Sequence, residues 1–262
     1  MRNEARRRTV GWAEERHREW RPPRLRLLAA LLAALAAAPA ASAWSVSAAA
    51  GRDDFEAFHR RFASSAYAYP RHGAAPLGLL GFDVWAEVAV DEGFTDEPFF
   101  DGAVDGDLTG DLLLVGRVGA RKGLPGGIDL GLSYAEALEG DLSTASAEIG
   151  WAILDGGLIS PTLGLRLTGT RTLDSEAYEL DQYGAELILS KGFAVLTPYV
   201  GGGVVYSEGR LDRGPDLPAF ETDDTRFVAY AGLTLNLVLP KITVEVERGE
   251  AITGAVRVAF GF

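Results

Sequence analysis

The chain has 262 residues, of which 47% are hydrophobic and 24% are charged, and this composition excludes a disordered protein. It contains no cysteine, which excludes a disulfide scaffold and cysteine-based zinc sites. A formal net charge of −12 argues against nucleic acid as a partner.

The first 43 residues have the order of a secretory signal peptide. A basic region from Arg2 to Arg26 precedes an unbroken Leu/Ala run from Leu27 to Ala38, and Ala41-Ser42-Ala43 supplies a small-residue cleavage site. The apolar run is shorter than the ~20 residues that a membrane-spanning helix needs, so we predict cleavage after Ala43 rather than a membrane anchor. Loss of residues 1–43, which hold nine arginines and four glutamates, takes the formal charge from −12 to −17.

Residues 44–78 form a separate segment that contains an amphipathic helix. We expect Asp53 or Asp54 to cap the start of the helix, which would end near Ser65. Phe55, Phe58 and Phe62 lie at positions i, i+3 and i+7 and therefore share one face. Such a face has to pack on something, and the candidates depend on the domain that follows.

From residue 79 onward polarity alternates with a period of two, which is typical of strands with two different faces. We predict ten strands: Leu79–Val90, Asp111–Arg121, Gly127–Leu138, Leu142–Ile153, Leu158–Arg171, Tyr178–Lys191, Phe193–Ser207, Thr225–Leu237, Lys241–Arg248 and Ile252–Phe262. Residues 79–262 thus form an all-β domain, an antiparallel transmembrane β-barrel of about ten strands. Eight or twelve strands are alternatives, because short turns are easily miscounted.

Two features favour a membrane barrel, with lipid outside and a polar lumen, over a soluble barrel. Long connections follow only odd-numbered strands, whereas those after even-numbered strands are short, as expected for external loops and periplasmic turns. The outward aromatic residues also fall into two bands, as the two membrane interfaces require. One band holds Phe82, Trp151, Phe260 and Phe262, and the other holds Tyr134, Tyr183, Tyr206 and Phe227.

The last strand carries a third feature. The stretch from Val256 to Phe262 alternates in polarity and ends on an aromatic residue. It resembles the C-terminal signature of bacterial outer-membrane β-barrel proteins, which the barrel-assembly machinery reads. The resemblance covers residues 79–262 and implies an assembly signal at Phe260 and Phe262, a small non-porin barrel in a Gram-negative outer membrane, and contact with its lipid and lipopolysaccharide. It fixes no activity, because this architecture hosts many functions.

The polar face of the barrel carries charges of both signs. Its members are Asp83, Glu87, Arg117, Asp129, Glu148, Arg166, Glu186, Arg226, Glu245, Glu247 and Arg257. Charges in a narrow interior should pair, which favours a structural network filling the lumen. The alternative is a narrow channel for small polar or cationic solutes. Carboxylate partners for all four arginines would favour the filled lumen.

The helix before the barrel then has three possible positions. We favour a cap on the periplasmic mouth. A plug inserted into the lumen is the second possibility, since Trp85, Leu113, Val115, Ile188, Tyr199 and Tyr230 could offer its phenylalanines an apolar surface. A helix bound to a partner or to the membrane surface is the third.

Candidate chemistry in the barrel is sparse. His59 and His72 precede the first strand, so a Ser–His site is unavailable unless His59 enters the lumen, and we predict no enzyme and no cofactor. Asp105 and Asp107 match two positions of a calcium-binding loop, but no helices flank them. We therefore predict no metal site and a solvated acidic loop, with only a weak possibility of metal binding at Asp101, Asp105, Asp107 and Asp111. Phe94, Phe99 and Phe100 are expected to be exposed in that loop, at the rim or against a ligand.

Overall fold

The structure, a computed structural model, describes residues 44–106, 108, 112–157, 159–173, 175, 177–237 and 239–262. The predicted signal peptide (residues 1–43), two of the acidic loop positions (Asp107 and Asp111) and the predicted start of the fifth strand (Leu158) lie outside these residues.

The strands are numbered in chain order, and two short ones, β1 (Trp44–Val46) and β3 (Val104–Gly106), form a separate two-stranded sheet. The other ten close into an antiparallel barrel in which successive strands along the chain are hydrogen-bonded neighbours. They are β2 (Phe82–Glu92), β4 (Leu112–Leu124), β5 (Ile128–Ala137), β6 (Ser143–Leu154), β7 (Thr162–Thr172), β8 (Tyr178–Ser190), β9 (Leu196–Leu211), β10 (Phe220–Asn236), β11 (Lys241–Arg248) and β12 (Ile252–Gly261). The last strand closes the barrel on the first, with Arg257 opposite Glu87. The predicted fold class and strand number are confirmed.

The largest error in the predicted strand bounds lies between β9 and β10. We expected a loop from Glu208 to Asp224, but both strands continue and pair in register up to Leu211 and Phe220. The connection is therefore limited to residues 212–219. Beyond the apolar zone a strand can continue with charged side chains on its outward face. The change from apolar to charged residues therefore did not mark the end of the strand.

The barrel buries its polar face and exposes its apolar face. Glu245 is 1% exposed, whereas Leu132 is 69% and Phe227 is 82% exposed. Exposure of these apolar side chains to water would be unfavourable, whereas their contact with lipid is favourable. This inverted alternation is the architecture of outer-membrane β-barrel proteins. Among the described residues, no helix is long and apolar enough to cross a membrane.

The two ends of the barrel differ. The long-loop end carries the connections β2–β4, β7–β8 and β9–β10, and the short-turn end carries β4–β5, β6–β7, β8–β9 and β10–β11. The β2–β4 connection contains a short helix, α2 (Phe100–Ala103), and a strand, β3 (Val104–Gly106), neither of which we predicted. β3 pairs with β1 (Trp44–Val46), the first described strand, so the beginning of the described chain lies at the long-loop end.

The N-terminal segment then runs through the inside of the barrel. The helix α1 (Arg52–Ala66) lies near the long-loop end, and an extended stretch leads from it to β2 at the short-turn end. There the Leu77 amide donates to Asp129 Oδ1 at 3.1 Å, and the Gly123 amide donates to the Gly81 carbonyl at 3.1 Å. We call residues 52–78 the lumenal segment. The periplasmic cap that we favoured is therefore not what the structure shows.

The start of α1 also differs from the expectation. Gly51 occupies the N-cap position without a side-chain cap, and Asp53 and Asp54 lie in the first turn. Acidic residues in a first turn interact favourably with the positive end of the helix dipole, which explains why they marked the helix start without capping it.

Candidate functional site

The phenylalanine face of α1 packs into an aromatic cluster inside the barrel. Phe55, Phe58 and Phe62 are at most 2% exposed. The ring of Phe58 lies 5.4 Å from that of Tyr178 and 5.5 Å from that of Phe62, measured between centroids. Leu113 and Val115 of β4 belong to the same cluster. The apolar wall that a plug would need is present at these positions.

The first long connection, between β2 and β4, covers this cluster on the side of the long-loop end. Phe94 is 0% and Phe99 is 3% exposed, and their rings lie 6.2 Å and 6.0 Å from that of Phe58. Phe100 is partly buried beside them. The expectation that these three rings are exposed was wrong, because the connection folds over the helix instead of extending into solvent.

Lower in the lumen, tyrosines replace the phenylalanines. Tyr67 and Tyr69 of the lumenal segment pack against Ile188, Tyr199 and Tyr230 of the wall. Tyr67 also donates to or accepts from Thr168 Oγ1 at 2.9 Å, so its hydroxyl is satisfied. A Cβ at Gly184 would collide with that hydroxyl, which explains a glycine at this inward position.

The four predicted lumen arginines share one property: each donates a hydrogen bond to a backbone carbonyl of the lumenal segment. The contacts are Arg226 to Ala63 (2.8 Å), Arg117 to Ala66 (2.8 Å), Arg166 to Ala68 (2.5 Å) and Arg257 to Pro70 (2.7 Å). The carbonyls of the last helical turn have no intrahelical partner, and cations near a helix C-terminus are favourable. We call these four residues the arginine ladder.

Carboxylates complete the ladder only in part. Arg117 lies 3.1 Å from Glu87 Oε1, and Arg226 lies 3.3 Å from Asp224 Oδ2. Arg166 reaches both Glu148 at 2.6 Å and Glu186 at 2.7 Å.

Arg257 differs from the other three. Among the described residues it has no carboxylate within 4.0 Å, and its guanidinium lies 3.8 Å from the centroid of the Trp85 ring. Its partners are therefore an aromatic face and the segment's backbone.

Arg71 joins the lumenal segment to the remaining acidic residues of the wall. It is 1% exposed and pairs with Glu87, with Glu247 at 2.6 Å and with Glu245 at 3.9 Å. Tyr199 Oη donates to Glu245 at 2.6 Å, and Thr253 Oγ1 donates to Glu247 at 2.6 Å. Glu87 lies on β2, whereas Glu245 and Glu247 lie on β11. Since β12 lies between these two strands in the barrel, the Arg71 side chain joins the strands on either side of β12.

A second ionic group lies at the short-turn end. Asp83 forms ion pairs with Lys241 at 2.7 Å and with Arg121 at 3.3 Å. Arg121 also donates to the ring of His72, which lies 3.8 Å from Glu148. Burial, followed by the charge of Arg121, lowers the pKa of His72 to about 4, so the ring is neutral at pH 7 and accepts the hydrogen bond.

His59 also enters the lumen. Its Nδ1 lies 2.8 Å from Tyr178 Oη and its Nε2 lies 3.1 Å from Ser207 Oγ. Burial, followed by the charge of Arg226, lowers its pKa to about 4. Both His59 and Ser207 are 0% exposed, and Arg226 donates to the same serine oxygen at 3.2 Å. The pair is therefore a hydrogen-bonded core contact that no substrate can reach in this conformation.

The acidic loop forms no metal centre that the structure describes. Asp101 and Asp105 are exposed. Within the described ranges, no group of three or more histidines, aspartates or glutamates is placed to hold a metal ion.

Sequence reasoning missed several charged residues that take part in the lumen network, among them Asp91, Arg121 and Arg71. Asp91 and Arg121 have the same strand parity as the predicted inward residues, so the alternation pattern could have found them. Arg71 lies in an extended segment with no periodic pattern. Only the surplus of wall carboxylates over wall arginines pointed to a missing cation.

Comparison with known proteins places no activity on this site. No protein-family model and no curated protein matches the sequence. The N-terminal β-barrel domain of Pseudomonas aeruginosa OprF is 13% identical over 69% of this chain and 97% of its own, with a TM-score of 0.33. Ail, the attachment invasion locus protein of Yersinia pestis, solved with the heparin analogue sucrose octasulfate, is 11% identical over 70% of this chain and 97% of its own, with a TM-score of 0.31. Neisserial surface protein A is 9% identical over 69% of this chain and 95% of its own, with a TM-score of 0.29.

Likenesses at this level carry no argument about activity. The fold is established here by the pairing of the chain's own strands.

Proposed function

We propose that this protein is a non-enzymatic barrel of the Gram-negative outer membrane whose lumen is closed by its own N-terminal segment, with a structural or surface-interaction role in the envelope. The burial of Arg71 against Glu87, Glu245 and Glu247 carries this proposal. A segment that left the lumen would take this cation away from the wall, where Glu87 would keep Arg117 but Glu245 and Glu247 would have no cation among the described residues. Uncompensated buried charge is strongly unfavourable, so the closed state is the stable one.

The arginine ladder supports the same conclusion. Its contacts go to backbone carbonyls over the stretch from Ala63 to Pro70, at successive depths of the lumen. Each guanidinium satisfied in this way is unavailable to a passing solute. Four charged side chains of the polar lining are thus used to hold the segment.

The orientation follows from the two ends of the barrel. We place the long-loop end outside the cell, where its acidic residues would face lipopolysaccharide, and the short turns in the periplasm. The terminal strand would serve the assembly machinery: Phe260 and Phe262 are 50% and 72% exposed, and the rings of Phe262 and Phe82 lie 4.8 Å apart.

The test is conductance of the purified, heat-modifiable protein in a planar lipid bilayer, for the full mature chain and for a variant without residues 44–71, which removes Arg71 together with the helix. We expect the full chain to be silent, because the lumenal segment fills the path. The shortened barrel, if it keeps heat-modifiable mobility, should give discrete cation-selective steps, because Glu87, Glu245 and Glu247 would then line an open lumen.

Two results would count against the proposal. Steady cation-selective steps from the full chain would make the protein a narrow channel for small polar or cationic solutes. Silence from a folded shortened barrel would show that the wall side chains close the lumen without the segment. In that case the segment would have another role.

A further inference from the structure

The described chain begins and ends at opposite ends of the barrel. The Trp44 amide donates to the Glu139 carbonyl at 3.1 Å, and the Ser47 amide donates to the Ala103 carbonyl at 2.9 Å. Glu139 and Ala103 both lie in connections of the long-loop end. Phe262, in contrast, exchanges backbone hydrogen bonds with Phe82 at the short-turn end, at 2.9 and 3.1 Å.

The first residues are fixed at the long-loop end and do not merely reach it. Trp44 is 2% exposed, and its ring lies 6.3 Å from those of Phe62 and Phe94. β1 pairs with β3 over three residues, and Trp44 forms a parallel bridge with Gly140. A Cβ on Gly140 would collide with the Trp44 indole, so the loop is shaped to receive this side chain.

The barrel wall leaves no other route for the chain. Ten strands hydrogen-bond around a full circle, and the segment between Trp44 and Phe82 crosses the space that they enclose. A chain enclosed in this way can leave the barrel only through its two open ends. The short-turn end is taken by the stretch that enters β2, and Trp44 lies at the long-loop end.

We propose that β1 and the β1–β3 ribbon are displayed on the outer surface of the cell, whereas Phe262 faces the periplasm. This rests on the orientation given under the proposed function. It extends that proposal, because the N-terminal β1–β3 ribbon then becomes part of the external surface together with the acidic loops. Since cleavage is predicted directly before Trp44, the ribbon would begin at the first residue of the mature chain.

Single-cysteine labelling tests the topology in the full chain, which has no cysteine of its own. Ala49→Cys lies at an exposed position directly after β1, so a thiol there is accessible without disturbing packing. Asp216→Cys in the exposed β9–β10 connection reports the long-loop end, and Ser160→Cys in the β6–β7 connection reports the short-turn end. Each variant is treated with a membrane-impermeant maleimide, on intact cells and after permeabilisation of the outer membrane.

We expect Ala49→Cys and Asp216→Cys to be labelled equally on intact cells, and Ser160→Cys to be labelled only after permeabilisation. If Asp216→Cys reacts on intact cells and Ala49→Cys does not, the orientation stands and the inference about the β1–β3 ribbon is overturned. If Ser160→Cys reacts on intact cells while the other two are protected, the orientation itself is wrong and both proposals fail. Heat-modifiable mobility of all three variants is the control for folding.

Discussion

At the scale of single residues, Arg71 links the lumenal segment to the acidic residues of the barrel wall. It is a cation from the lumenal segment buried among three carboxylates from two strands. A buried ion pair need not stabilise a protein relative to apolar residues, but removal of one partner leaves the others uncompensated. The charge balance of the barrel wall therefore depends on Arg71 of the lumenal segment.

Replacement of this side chain should lower stability strongly. We expect Arg71→Met, which keeps most of the volume, to reduce the free energy of unfolding by about 3–5 kcal/mol, since Glu245 and Glu247 then share a site without their cation and Glu87 keeps only Arg117. The measurement is the urea midpoint for loss of heat-modifiable mobility in lipid vesicles.

The matched control is Arg171→Met, the same substitution at an arginine that is 72% exposed and paired with Asp181 at 2.7 Å. Exposed pairs contribute little, so this variant should remain close to the parent. Equal losses in the two variants would mean that Arg71 does not hold the segment.

The buried histidines make stability depend on pH. His59 and His72 have ordinary pKa values of 6.5 that burial lowers to about 4, so below pH 6.5 the unfolded chain binds protons that the folded chain cannot. The contribution of these two neutral rings to stability is therefore complete above pH 6.5 and is lost as the pH falls towards 4. Between about pH 7 and pH 5 each histidine should remove up to roughly 2 kcal/mol.

His59→Gln isolates one of the two contributions, because glutamine can hydrogen-bond but does not titrate. The loss of stability between about pH 7 and pH 5 should be smaller than in the parent by up to roughly 2 kcal/mol, and His72→Gln should do the same. An unchanged slope in both variants would show that these rings are not buried as neutral groups. The urea midpoint measured across this pH range decides the point.

At the scale of elements, the sequence predicted the type of each element more accurately than its position in the fold. Strand alternation is a property of each strand with its two environments, so inward residues such as Glu245 and outward residues such as Leu132 could be sorted without a structure. The face formed by Phe55, Phe58 and Phe62 likewise predicted the helix α1. Its position depends on long-range packing, which no local pattern encodes.

The arginines show why this part could not be predicted. From the sequence, the natural partner of a lumen arginine is a carboxylate, and Arg166 does have two. Backbone carbonyls are equally good acceptors, but every residue carries one, so they leave no mark in a sequence. The contact between Arg257 and the Pro70 carbonyl is visible only once the segment is in the lumen.

At the scale of the whole molecule, two opposite surfaces determine the architecture. The interior is a polar core that the lumenal segment completes, and the exterior is an apolar surface that only lipid can cover. The arrangement resembles a soluble protein with its inside and outside exchanged, except that the core also needs charge balance. The same sequence alternation therefore specifies both the surface that faces lipid and the polar lining against which the lumenal segment packs.

The exterior should tolerate a charge only outside the apolar belt. Leu132 lies midway along β5, is 69% exposed and faces outward between Ala120 and Ala147. We expect Leu132→Arg to make folding into lipid vesicles less favourable by ~2–4 kcal/mol, which is the cost of an arginine near the middle of the bilayer. Leu217→Arg, at a leucine of the β9–β10 connection that is 50% exposed, introduces the same charge beyond the belt and should change little. Urea titrations of both variants in the same vesicles give the comparison, and a loss at Leu217 as large as that at Leu132 would contradict the position of the belt.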